Sequence, residues 1–164
     1  MKKTSFALNL VMTIICVLVL ILLQCPLFAD GNAILTGVDM LLQGFKNSQL
    51  SFVFIAWGQV AVVVSECLLI AILIVCILQD AAIISYKYNK LLYILKNFLV
   101  VLQVAGVALV TAGALVVVDD SSLFGLICPA YFVQVIFSVL LLFLACFNVP
   151  YKTKKERKNR KSNW

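Results

Sequence analysis

Four runs of this chain stay apolar for longer than a soluble helix needs: roughly residues 6 to 28, 52 to 78, 91 to 118 and 123 to 147, each able to cross about 30 Å of hydrocarbon as a helix. Within lipid the backbone must satisfy its own hydrogen bonds, so each run is expected to be helical. The short connections between the second, third and fourth make those three antiparallel neighbours. The expected fold class is all-α: an integral membrane four-helix bundle over residues 1-150, followed by a basic tail over residues 151-164. Composition agrees, since 64% of the 164 residues are hydrophobic and only 12% charged, too apolar for a water-soluble domain of this size.

The cations set an expected orientation. Lys2 and Lys3 precede the first run, and Lys87 and Lys90 separate the second from the third. The tail YKTKKERKNRKSNW adds Lys152, Lys154, Lys155, Arg157, Lys158, Arg160 and Lys161. The positive-inside rule puts these segments in the cytoplasm of a bacterium, with both termini inside. The opposite side carries Asp30, Asp39, Asp119 and Asp120 against one cation, Lys46. Trp57 and Tyr131 fall near the outer interface, and Tyr86, Tyr88, Tyr93 and Tyr151 near the inner one. The net charge of +6 belongs to this topology and does not indicate nucleic acid, because the cations cluster at span ends. The tail is expected to bind anionic lipid head groups or an acidic partner. The start MKKTSF, the apolar run and LFAD also suit a signal peptide cut after Ala29, although the run is longer than the usual apolar region and Pro26 suits a helix terminus.

Chemistry-bearing motifs are missing. The chain has no His, and its six Cys are scattered singly, so neither a metal site nor a cofactor is expected. No phosphate-binding loop, nucleophile elbow or HExxH pattern occurs, and no enzymatic activity is expected. Cys25-Pro26 and Cys128-Pro129 fall at similar depth, which makes Cys25 and Cys128 a candidate disulfide pair. A redox-active pair is disfavoured, because the CxxC of the four-helix disulfide-generating quinone oxidoreductases is missing.

Polar residues inside the apolar runs are the sharper signal. Glu66 sits at the midpoint of the second run, in VVVSECLLIA, with Gln59 seven residues before it and Asp80 fourteen after. Lys96 and Gln103 are also seven apart, Asn9, Thr13 and Cys16 share a face of the first run, and Gln134 and Ser138 share a face of the fourth. In lipid such stripes turn toward the bundle interior. Glu66, Gln59, Gln103, Gln134, Ser138 and Thr13 are thus expected to form a polar seam. It acts as interhelical hydrogen bonds worth about 0.6 to 2 kcal/mol each, or as a site exchanging a proton or cation. A contact between Glu66 and a cation on another subunit is a third reading. Asp80 and Lys96 form an expected inner ion pair. Lys96 lies about 10 Å nearer the inner face than Glu66, so the Glu66 carboxyl is expected to lack a full countercharge and to be neutral. Ala105, Ala108 and Ala112, with Gly106 and Gly113 beside them, mark a face that another helix can approach closely.

In the loop ADGNAILTGVDMLLQGFKNSQL, Ile34, Val38, Leu41, Leu42 and Phe45 recur at helical spacing, which predicts a short amphipathic helix on the outer membrane face. Through Thr36, Gly37, Leu41, Leu42 and Gly44 the chain resembles uncharacterised small four-span membrane proteins of Gram-positive bacteria, whose first outer loop carries an sGxxLLxG-like phrase. The resemblance covers only this short stretch and implies no activity. The expected function is a non-enzymatic accessory or interaction subunit of a membrane complex, with another membrane protein or a second copy as partner. The alternatives are a proton- or cation-coupled small transporter or channel subunit using Glu66, and a holin-like or immunity-type membrane protein.

Overall fold

A computed structural model of the chain describes residues 2–30, 33–44, 50–84, 89–117 and 127–148. From the N-terminus the elements are helix α1 (Lys2–Leu22), strands β1 (Pro26–Asp30) and β2 (Ala33–Thr36), and helix α2 (Gly37–Gly44), followed by helices α3 (Leu50–Asp80), α4 (Asn89–Val117) and α5 (Pro129–Phe147). Helices α1, α3, α4 and α5 are each long and apolar enough to cross a membrane. The basic tail, Lys46, Phe45, Lys87, Asp119, Asp120 and the tyrosines at 86, 88 and 151 lie outside the described residues.

The four long helices form a square in which α1 packs on α3, α3 on α4, α4 on α5 and α5 on α1. That leaves α3 and α5 at opposite corners. Each neighbouring pair is antiparallel, which follows from paired contacts such as Asn9 to Asp80 and Cys16 to Glu66 across α1 and α3. The square has a hairpin end, where β1, β2 and α2 lie, and a far end marked by Lys96. Its core toward the middle and far end is built from Met12, Val19, Leu69, Leu73, Leu99, Val100 and Leu141, among others. A second cluster, including Leu23, Leu27, Phe28, Met40, Val110 and Tyr131, seals the hairpin end.

Two boundaries differ from the sequence reading, and proline explains both. The first run was expected to stay helical to residue 28, but α1 ends at Leu22 and the chain turns through Gln24 and Cys25 into β1. Pro26 offers no N–H and disfavours helical backbone at the residue before it, while it is tolerated as the first residue of a strand. The fourth run was expected from residue 123, but α5 starts at Pro129, a proline suited to the first helical turn. Before it, Cys128 is extended (φ −75°, ψ 154°) and donates its N–H to the Leu27 carbonyl at 2.9 Å, while Ile127 bridges to Phe28. Leu27 and Phe28 from the first run and Ile127 and Cys128 from the fourth thus join in a small β structure over the bundle.

Strand β1 pairs antiparallel with β2, so Ile34, expected on the loop helix, lies in a strand. Helix α2 then begins with a reciprocal cap. Thr36 Oγ1 accepts from the Asp39 N–H at 3.1 Å, and Asp39 Oδ2 accepts from the Thr36 hydroxyl at 2.7 Å and from the Thr36 N–H at 3.1 Å. The Thr36 hydroxyl first, and its backbone N–H second, hold the Asp39 carboxyl below the usual carboxylate range. Gly37 lets this helix start sit against the turn after α1 and against β1, because a Cβ there would come within 2.8 Å of Leu23 Cδ2 and 3.1 Å of Leu27 Cδ1. Met40 is buried, whereas Val38 and Leu42 are exposed.

Helices α3 and α4 approach most closely at Gly58 and Gly106. A Cβ on Gly58 would lie 2.7 Å from the Gly106 carbonyl oxygen, and one on Gly106 would lie 2.8 Å from that of Gly58. The small-residue signal in the third run therefore divides between two faces. Gly106 meets α3, while Ala105, Ala108 and Ala112 are exposed on the bundle's outer surface. At the other end of α3, the Ala82 N–H bonds to the Gln79 carbonyl and the Ile83 N–H to that of Leu78, with Ala82 left-handed at φ 62°. This is a Schellman ending with alanine at the position that favours glycine.

Candidate functional site: two polar layers inside the bundle

A hydrogen-bonded layer crosses the middle of the bundle. Glu66 on α3 has no exposed surface, and its Oε1 accepts from Gln103 Nε2 on α4. The same Nε2 donates to Ser138 Oγ on α5 at 3.1 Å, and Ser138 in turn donates to the Gln134 carbonyl one turn back at 2.9 Å. The Cys16 thiol of α1 stands beside the Glu66 carboxyl without a well-formed hydrogen bond to it. Hydrogen bonds through Gln103 therefore tie α3, α4 and α5 together at this carboxyl, with Cys16 of α1 beside it. Among the described residues no cation touches it, and Lys96 lies seven residues away along α4.

Several polar atoms of this layer and the turn beside it have no hydrogen-bond partner among the described residues. They are Glu66 Oε2, Gln103 Oε1, and both amide atoms of Gln59 and of Gln134, where Oε2 makes no well-formed bond despite the nearby thiol. Gln59, Gln103 and Gln134 are, like Glu66, without exposed surface. Of the expected seam, Gln59 thus points inward but bonds to nothing described. Thr13 stands apart: half-buried, it donates to the Asn9 carbonyl of its own helix at 2.8 Å.

A second layer closes the far end. Asp80 Oδ2 on α3 accepts from Asn9 Nδ2 on α1 at 3.0 Å, and Asn9 Oδ1 accepts from Asn148 Nδ2, just past α5, at 2.6 Å. Lys96 on α4 is buried and aims its ammonium at the Asn148 carbonyl at 3.5 Å, with the Tyr93 ring centroid at 5.3 Å. Asp80 and Lys96 line one cavity of about 20 Å³, room for a water molecule, together with Ser5, Cys76, Gln79 and Tyr93. Their charges act on one another across it, but the hydrogen bonds that hold each charge run to asparagines. Asn148 carries no signal in the sequence beyond its place after an apolar run, and it is the residue that links three of the four helices.

Toward the hairpin end, Tyr131 OH and Thr111 Oγ1 are 2.5 Å apart, and the Tyr131 hydroxyl donates to the Val107 carbonyl at 3.2 Å. Tyr131 was read as an interfacial aromatic; it is buried under the Phe28 ring, with centroids 5.1 Å apart. Cys25 and Cys128, the candidate disulfide pair, are both free thiols, and Cys25 Sγ faces the Ile21 carbonyl at 4.0 Å. No group of His, Cys, Asp and Glu suited to a metal ion occurs among the described residues.

No protein-family model matches this chain, and neither a curated protein nor a solved structure shows significant similarity to it.

Proposed function

We propose that this chain is a small non-enzymatic protein of the bacterial cytoplasmic membrane, with both termini inside, that serves as an accessory subunit by docking another membrane protein on α4. The observation that carries the reading is the exposed row Ala105, Ala108 and Ala112. Small residues at this spacing let helix backbones approach closely in lipid, and among the described residues these three stay exposed. The lysines flanking the spans and the basic tail support the orientation. Seven tail cations would add about 1 kcal/mol each of attraction to anionic lipid near the surface.

Ala108→Leu tests the docking face. The tagged wild-type protein, solubilised in mild detergent, is expected to carry a stoichiometric membrane partner or a second copy of itself. The variant should lose that partner while keeping its helicity and thermal stability. An unchanged assembly in Ala108→Leu, or a wild type that is monomeric and alone in native membranes, overturns the reading.

A second reading, a proton- or cation-coupled role for Glu66, is favoured by one observation: the buried amide atoms around the carboxyl that no protein group satisfies.

A further inference from the structure

Gln59 and Gln134 sit on helices at opposite corners of the square, so they approach the bundle axis from opposite sides. They also share a level. Gln59 follows Gly58, which abuts Gly106 and Val110 on α4. Gln134 lies between Tyr131, bonded to the Val107 carbonyl, and Ser138, bonded to Gln103. Both amides therefore stand near the level of Val107, with Glu66 seven residues further along α3, about 10 Å at a helical rise. The Tyr131 and Thr111 hydroxyls lie on the hairpin side of them, and Phe28 roofs Tyr131. On the other side of Glu66, Met12, Leu69, Leu73, Leu99, Val100 and Leu141 fill the interior before the Asp80 and Lys96 layer is reached.

Buried apolar side chains lie on both sides of Glu66, Val19, Val62 and Val107 among them on the hairpin side, but on that side both amides of Gln59 and Gln134 also stand buried and unpartnered among the described residues. A buried amide left without a partner is costly, and an enclosure lined by several donors and acceptors is where proteins retain internal water.

We propose that Glu66 is a proton-binding site that exchanges with solvent at the hairpin end of the bundle, through water held between Gln59 and Gln134 under the Phe28 and Tyr131 roof. The step is a proton transfer alone. A hydronium ion at the hairpin end gives up a proton, the proton passes along the water file, and the carboxylate becomes a carboxyl as one O–H bond forms and another breaks. The groups facing Glu66 fit a site of this kind. Among the described residues Cys16 of α1 is the one titratable group beside it, α4 presents Gln103 and, seven residues further, Lys96, and α5 presents Ser138, with Tyr131 beyond. Asp80 lies fourteen residues away on α3 itself. The inference deepens the proton-coupled reading of Glu66 and rests on it, and it does not depend on the docking reading.

The test follows the Glu66 carboxyl stretch by infrared spectroscopy in vesicles, identified as the band lost in Glu66→Gln, during exchange into heavy water. Phe28→Ala, which opens the roof, should speed exchange. Gln59→Leu and Gln134→Leu should each slow it by roughly tenfold, equivalent to about 1.4 kcal/mol on the barrier. Lys96→Met, at the far end, should leave it unchanged. Equal rates in wild type and both glutamine variants, or slowing caused by Lys96→Met alone, overturns the proposal. A measurement on the unmutated protein keeps the test decisive if a variant does not fold. Water-edited NMR in bilayers should transfer magnetisation to the side-chain amides of Gln59 and Gln134 but not to the amides of Leu73 and Leu99, and no transfer to the glutamines refutes the water file.

Discussion

The two polar layers are built from similar residues and end in opposite conditions. At the far end Asp80, Asn9, Asn148 and Lys96 form a chain in which each named group has a partner, and both charges lie on one small cavity. In the middle, Glu66 is tied through Gln103 to α4 and α5, yet amide atoms on Gln59, Gln103 and Gln134 go without partners among the described residues. A closed layer fixes how four helices meet. An open one keeps surplus hydrogen-bonding capacity where lipid supplies none, a costly condition unless something small and polar fills it.

Breaking the closed layer should have the largest effect. Asp80→Ala removes the carboxylate that receives Asn9 and faces the buried Lys96 ammonium, so it strands both groups. The expected loss is about 2 to 3 kcal/mol, the upper part of the range for a buried group left unpaired, read as a lower unfolding midpoint in bicelles. Lys96→Met in the Asp80→Ala background should recover part of that loss, because it removes the stranded charge. No recovery in the double variant would mean that the two charges do not act on each other.

The open layer should respond differently to an equally drastic change. Gln59→Leu replaces a fully buried amide with an apolar side chain of similar size. If the amide is dry, the change relieves a penalty of about 1 to 3 kcal/mol and the protein is stabilised. If water satisfies it, relief and loss offset each other, and the shift stays below about 1 kcal/mol. We expect the second result. A gain of about 2 kcal/mol in chemical unfolding would mark the layer as dry.

How far the sequence revealed this arrangement depends on which physical signal each residue carries. Span lengths and seven-residue spacing depend on local chain geometry, so the four membrane-length helices were legible in the sequence, as was the inward placement of Glu66, Gln103 and Ser138. The ends of α1 and α5 were not, because Pro26 and Pro129 lie in apolar surroundings that hydropathy reads as continuous. Proline's missing N–H was the available signal, and at Pro26 it marks a strand rather than the end of a span. Asn148 and Thr111 were invisible for another reason: their roles come from partners more than one helix away or on a facing helix, Asn9 and Tyr131, which no local pattern specifies. The TGVD stretch, by contrast, did carry a capping signature, Thr36 followed three residues later by Asp39, that spacing alone could have identified.

That cap is the natural reference for both buried layers, because Asp39 is a carboxylate whose partners are also named but which lies outside the long helices. Its two hydrogen bonds from Thr36 lower its pKa from the ordinary value of 3.8. A carboxylate shifted down stabilises the folded form above its unfolded pKa and loses that contribution as pH falls through the lowered folded value. The Thr36 and Asp39 amide protons should therefore be protected from exchange at neutral pH and lose protection only as pH drops below about 4, the unperturbed carboxylate range. Because Asp39 is only half-buried, the effect should be small and confined to the start of α2, with the Glu66 and Asp80 layers undisturbed over the same interval. Asp39→Ala should abolish the pH dependence, leaving Thr36 weakly protected throughout. Protection in the native protein already lost at pH 6 would show that the cap does not persist in solution.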